Sequence, residues 1–89
     1  MLKLNYDNDY DILYICVGDN SNTYGADEVE DITVFRDLST DAISGFEIFD
    51  FYKKYETQAL PALPFGFSID YTEEVIPFIL KRTGPGLAN

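Results

Sequence analysis

The chain begins with an alternation of apolar and polar residues that predicts a β-strand. Leu2, Leu4 and Tyr6 alternate with polar neighbours, which is the period-two pattern of a strand with one buried face. A turn rich in Asp and Asn, residues 7–11, separates this strand from residues 12–17, which are apolar at every position. Both faces of the second strand are therefore expected to be covered.

Two more strands are predicted before residue 50. Residues 18–26 are expected to form a long loop, and the acidic stretch 27–31 leads into a third strand at 32–36. A fourth strand follows at 42–49, where Gly45 is expected to mark a bulge or the close approach of another element. Short connections between successive strands favour an antiparallel meander.

After residue 50 the apolar period lengthens, which predicts helices. The aromatic side chains of residues 51–56 share one helical face, and the doubled Ala-Leu-Pro at 59–64 predicts an extended link. Asp70 and Glu73 resemble a capping box, so a last helix is expected to begin there. The predicted fold class is α+β: a four-stranded antiparallel β-meander, a short helix after the fourth strand and a C-terminal helix.

The length of 89 residues allows one domain, made of an acidic meander (1–50) and a helical, proline-containing extension (51–89). Six Lys and Arg stand against sixteen Asp and Glu, which gives a net charge of −10. The imbalance lies in residues 7–50, where twelve acids accompany a single base, Arg36. We expect Arg36 to relieve repulsion in the sheet by lying opposite Glu47 or Asp50.

This composition excludes several functions. Without clustered Lys and Arg, the chain has no basic surface to bind the phosphates of nucleic acid. Without His, it has no imidazole for acid–base catalysis and no ligand for zinc sites that need His. A single Cys, no signal peptide and no long apolar stretch indicate a cytoplasmic protein that neither enters nor crosses a membrane. We expect Cys16, inside the apolar second strand, to be a small buried hydrophobe rather than a reactive thiol.

Two blocks of the sequence resemble a known family of small prokaryotic and phage proteins. The blocks lie within residues 4–50, and their matching positions are Tyr6-Asp7, Asp11, Leu13-Tyr14-Ile15, Glu28-Val29-Glu30-Asp31, Val34, Asp37, Ile43 and Gly45-Phe46-Glu47-Ile48-Phe49-Asp50. The family is the domain of unknown function 2283. The resemblance implies a compact β-meander closed by a short helix and supplies no activity or catalytic residue. The loop at 18–26 and the chain after about residue 55 depart from the family's pattern.

Two groups of acids are candidate sites. Asp7, Asp9 and Asp11 have the spacing that opens a calcium loop, but Ile12 and Gly18 stand where that loop needs Gly and Glu. A turn whose Asp side chains bond the backbone is the favoured interpretation. The second group could bind a hard cation weakly or form a solvated surface, and consists of Asp27, Glu28, Glu30 and Asp31.

The charge distribution favours a non-enzymatic binding module whose acidic surface engages a basic surface of a host protein. Carboxylates on a rigid sheet can imitate nucleic-acid phosphates, as in a phage inhibitor of the anti-CRISPR or anti-restriction kind. The partner-facing acids are expected to be Asp27, Glu28, Glu30 and Asp31, with Asp7, Asp9 and Asp11 nearby.

Two other classes of function stay open. One is a self-associating structural protein in which residues 59–80 are exchanged or cover a sheet face in a homodimer. The other, less favoured, is an enzyme that uses carboxylates with Mg²⁺ or Mn²⁺. The sequence offers no phosphate-binding loop or activated nucleophile, so neither a cofactor nor a catalytic residue is predicted.

Overall fold

The computed structural model describes residues 2–18 and 21–83, and for residues 82 and 83 it describes the backbone only. Within these residues there are five strands, two α-helices and a π-helical turn. Their bounds are β1 Lys3–Asp7, β2 Ile12–Cys16, β3 Thr23–Val29, β4 Ile32–Asp37, β5 Ile43–Phe49, α1 Phe51–Glu56, the π-helical turn Tyr71–Val75 and α2 Ile76–Thr83. The α+β class is confirmed.

The predicted four-stranded meander is wrong in two respects, the number of strands and the pairing of β2. The sheet has five antiparallel strands in the order β1-β2-β5-β4-β3, and the short helix follows the fifth strand. Strand β3 occupies part of the segment expected to be a loop, 18–26, and part of the acidic stretch. It lies at the edge of the sheet with most of its side chains exposed, so its sequence carries no apolar alternation.

The second error concerns the partner of β2. A meander would pair β2 with the next strand, but β2 pairs with β5, which lies between β2 and β4. The sheet is therefore a hairpin (β1–β2) joined to a three-stranded meander (β3–β4–β5) through its last strand. Both strands turn alternate apolar side chains into the core, namely Leu13 and Ile15 of β2 and Phe46 and Ile48 of β5.

One face of the sheet carries the core. Leu13 and Ile15 of β2 lie opposite Ile48 and Phe46 of β5, and all four are fully or almost fully buried. Val34 of β4 continues the same row. We call this the core face. The elements that cover it bring in a set of buried apolar side chains, namely Phe51, Leu63, Val75 and Ile79.

Residues 59–80, the segment expected to serve a dimer, supply much of this cover within their own chain. Leu60, Leu63 and Phe67 pack against the core cluster. The carboxylate of Asp70 accepts a bond from the Glu73 N–H (3.0 Å), which confirms the predicted cap. The reciprocal bond comes from Glu74 instead, whose Oε2 accepts from the Asp70 N–H at 2.9 Å at the start of the wider π-helical turn.

Gly45 is confirmed as a site of both a register irregularity and a close approach. The β4–β5 register shifts next to Gly45 and its partner Phe35. A Cβ added at Gly45 would lie 2.7 Å from the carbonyl oxygen of Ile15. Only glycine allows β5 to approach β2 this closely.

Candidate functional site

The sheet topology brings many of the acids to one end of the molecule. Strand pairing puts the β1–β2 turn, the β3–β4 turn and the end of β5 at the same end of the sheet. We call this the acidic end, and its acids are Asp7, Asp9, Asp11, Glu30, Asp31 and Asp50. A lysine from α1 lies beside it: Nζ of Lys54 donates to the carbonyl oxygen of Phe49 (2.8 Å) and is 3.9 Å from Asp31 Oδ1.

The first candidate group, in the β1–β2 turn, has a structural role. Oδ1 of Asp7 accepts from the backbone N–H of Asp9 (3.0 Å) and of Tyr10 (3.1 Å), which confirms the interpretation as an Asp-stabilised turn. Asp11 ends the turn with a φ of 56°. Asp9 is exposed and its carboxylate makes no hydrogen bond within the described residues.

Asp11 also links this turn to helix α1, which the sequence did not indicate. Its Oδ1 accepts from the Tyr6 hydroxyl (2.6 Å) and from the Tyr52 N–H (2.8 Å), while its Oδ2 accepts from the Lys53 N–H (3.2 Å). Asp50, at the N-cap position, makes no side-chain cap bond. Asp11 therefore caps α1 from a strand turn about forty residues earlier, and its carboxylate is occupied.

The second candidate group is divided among different places. Asp27 accepts from the Thr33 hydroxyl (2.9 Å) across β3 and β4. Glu28, on the opposite side of the strand, forms a two-point bond with Arg36, with Nε to Oε2 at 2.7 Å and Nη2 to Oε1 at 3.0 Å. The remaining two residues, Glu30 and Asp31, form the β3–β4 turn, where Asp31 has a φ of 67°.

The prediction that Arg36 lies opposite Glu47 or Asp50 is wrong. Arg36 pairs with Glu28, not with Glu47 or Asp50, because its cross-strand neighbour is Tyr24 and it projects away from the face that carries Glu47. The guanidinium also donates to a backbone carbonyl at residue 41 (2.8 Å) and lies 5.4 Å from the ring centre of Phe65. The hydrogen bonds with Arg36 lower the pKa of Glu28 and raise that of the arginine itself.

A second Asp-stabilised turn repeats the first. Oδ1 of Asp37 accepts from the N–H groups of Ser39 (2.8 Å) and Thr40 (2.9 Å), and these bonds hold the pKa of its carboxyl below the usual range. Asp41 ends this turn with a φ of 62° and accepts from the Tyr24 hydroxyl (2.7 Å), which raises the pKa of that tyrosine. Much of the acidic charge in residues 7–50 thus sits in turns and at positive-φ positions, where the backbone favours Asp or Asn.

Three acids in the described part of 7–50 are left without such a role. Asp9 and Glu30 are exposed turn residues at the acidic end. Glu47 is different, because it lies in the middle of β5 and is half-buried. Burial, and then the charge of Asp27, raises the pKa of the Glu47 carboxyl. Its alternation with Phe46 and Ile48 is a sequence signal that its side chain lies on the face opposite the core.

Glu47 lies at the centre of the face opposite the core, which we call the open face. In register across the sheet, it has Tyr14 of β2 on one side and Thr33 of β4 on the other. The side chains of Tyr14, Cys16 and Phe35 on this face are half-buried, and Phe49 is 45% exposed. The open face is therefore a partly apolar surface with a carboxylate at its centre.

A cavity of about 220 Å³ lies on the open face above Gly45. Tyr14 and Cys16 line it from β2 and Phe35 lines it from β4. The ring of Phe35 lies over Gly25, where an added Cβ would approach Cε1 to 2.8 Å. Cys16 was expected to be buried, but it is half-buried here because β2 turns its alternate side chains to the open face.

The described residues contain no group of three or more Cys, Asp or Glu side chains placed to hold a metal ion. None of their helices is both long and apolar enough to cross a membrane.

Comparison of the chain with models of known protein families, with curated proteins and with solved structures gives no match. The resemblance to the domain of unknown function 2283 accordingly stays a prediction.

Proposed function

We propose that this protein is a non-enzymatic binding module that engages a basic surface of another protein in the cytoplasm. The observation that supports it is the convergence of two acidic turns and the end of β5 at one end of the sheet. Asp9 and Glu30 project there without a cation partner in the described residues. Such a concentration of negative charge attracts Lys- and Arg-rich surfaces and accelerates their association.

An inhibitor that imitates nucleic acid is the specific form of this proposal that the charge supports best. A partner that normally holds phosphates would present a basic channel, which carboxylates on a rigid sheet could fill. Such a partner would be released from this protein by duplex DNA or RNA in excess. Release by salt but not by nucleic acid would favour a basic partner of another kind.

The test is salt-dependent capture with charge-reversed variants. The immobilised protein is incubated with a bacterial lysate at low and high salt, and retained proteins are identified by mass spectrometry. We expect a basic protein that is retained at low salt and released at high salt. The double variant Asp9→Lys with Glu30→Lys should lose it, because both side chains are exposed and free of structural bonds.

The matched control is Glu56→Lys with Glu73→Lys, which changes the net charge equally away from the acidic turns. It should retain the partner. The acids Asp11 and Glu28 are unsuitable for this test, since their bonds to α1 and to Arg36 would be lost along with the charge. Capture of no salt-sensitive partner, or equal loss in both double variants, would refute the proposal.

A further inference from the structure

The open face has the features of a recognition surface for one particular kind of side chain. The cavity above Gly45 is bordered by the rings of Tyr14 and Phe35. Glu47 follows Gly45 by two residues in the same strand, so it projects from the same face beside the cavity. The carboxylate of Glu47, a hydrogen-bond acceptor that can carry negative charge, thus lies next to two aromatic side chains.

The charge on this face decides what can cover it. Among the described strand residues, the open face carries Glu47 at its centre and Asp27 beside Thr33, while its one cation is Lys3 on the edge strand β1. If a second copy of the chain packed face to face on this surface, the carboxylates of the two copies would repel each other. Each chain also has a net charge of −10, which adds to the repulsion. A cationic occupant removes that repulsion.

Arginine fits this surface better than lysine does. Its guanidinium is planar, so it can stack on a tyrosine or phenylalanine ring while its N–H groups bond a carboxylate. Gly45 lines the cavity without a side chain to fill it, whereas the space over Gly25 is occupied by the ring of Phe35. Burial already disfavours the charged form of Glu47, and a bound guanidinium would restore it.

We propose that the open face is the docking surface for an arginine of a partner protein, whose guanidinium occupies the cavity between Tyr14 and Phe35 and pairs with Glu47. This inference rests on the proposed function, since it specifies how a basic partner is recognised. It assigns that recognition to the open face in addition to the acidic end. Asp27, held by Thr33 in the neighbouring strand, adds negative charge at the same face.

The test is a titration of isotope-labelled protein with blocked tripeptides, followed by NMR chemical shifts. The probe is Ala-Arg-Ala, and Ala-citrulline-Ala is its neutral, planar counterpart. Millimolar Ala-Arg-Ala should give saturable shifts at the Gly45 amide and the Tyr14 ring. The citrulline peptide should bind about tenfold more weakly or worse, because the charged hydrogen bonds are lost.

Glu47→Gln should weaken Ala-Arg-Ala by a similar factor, and the spectrum of the free variant reports whether it is folded. The matched control Glu56→Gln, on the exposed side of α1, should bind as the unaltered protein does. The proposal is overturned if no saturable shift occurs, if the shifts are confined to the acidic end, or if Glu47→Gln binds unchanged. It is also overturned if sedimentation shows a dimer that protects the Gly45 amide.

Failure here can be told apart from failure of the proposed function. If salt-sensitive capture of a basic protein persists while the open face binds no arginine, recognition belongs to the acidic end alone. If capture fails as well, the proposed function itself is wrong.

Discussion

Removal of the Asp11 side chain should destabilise the protein more than any other single change at the acidic end. The carboxylate takes one bond from a tyrosine hydroxyl and two from the first N–H groups of α1. A hydrogen bond to a charged group contributes about 1.5–3 kcal/mol, and loss of a helix cap costs about 1 kcal/mol. Because the three bonds share one carboxylate, we expect a combined loss of about 3 kcal/mol rather than their sum.

The backbone adds a separate contribution. Asp11 has a φ of 56°, a conformation that Asp, Asn and Gly tolerate and that costs Ala about 1 kcal/mol more. Asp11→Gly removes the bonds without strain, so it should lose about 3 kcal/mol, and Asp11→Ala about 4 kcal/mol. Asp11→Asn keeps the conformation and one acceptor oxygen, so it should lose about 1–2 kcal/mol.

Urea unfolding followed by circular dichroism measures these differences. In a domain of this size each kcal/mol lowers the melting temperature by about 4–8 °C, so Asp11→Ala should melt at least about 16 °C lower. Asp9→Ala is the matched control, because that side chain is exposed and makes no bond; it should change stability by less than about 0.5 kcal/mol. If Asp11→Gly unfolds with the same free energy as this control, the carboxylate does not hold α1.

Two further predictions concern close packing and alkaline pH. Gly45→Ala should lower the free energy of unfolding in urea by about 1–3 kcal/mol, since the added Cβ would meet the Ile15 carbonyl. Gly18→Ala, whose Cβ would lie in open space, should leave the free energy of unfolding unchanged. Equal effects of the two variants would contradict the packing argument. Burial raises the pKa of Tyr71 to about 12, and its hydroxyl donates to the Pro61 carbonyl (2.7 Å). The folded state therefore keeps the proton that the unfolded state releases near pH 10, so stability falls as pH rises from about 10 to 12. Tyr71→Phe should show a smaller alkaline loss, and an unchanged pH profile would refute this cause.

Local patterns in the sequence predicted the local structure well. Alternation identified β1, and the Asp-rich turn after it proved to be stabilised by Asp7 as expected. The helix cap at Asp70 was also correct. These features depend on neighbours a few residues apart, and their side-chain chemistry is therefore readable from short stretches of sequence.

Features that depend on distant partners were missed. Strand β3 is held by pairing with β4 rather than by an apolar pattern of its own. The pairing of β2 with β5, the bond of Glu28 with Arg36 and the capping of α1 by Asp11 each join residues that no local pattern connects. The candidate acids were consequently assigned to one surface, although several of them are held inside hydrogen-bonded turns and pairs.

The Asp residues at left-handed positions have a consequence for how this protein could change without losing its shape. Asp31, Asp41 and Asp50 all have a positive φ, a conformation that Asn accepts as readily. At these three positions a neutral residue of nearly the same size would serve the backbone equally well. Folding alone thus leaves the choice between charged and neutral side chains open, and the net charge of this scaffold can be adjusted while its backbone is kept.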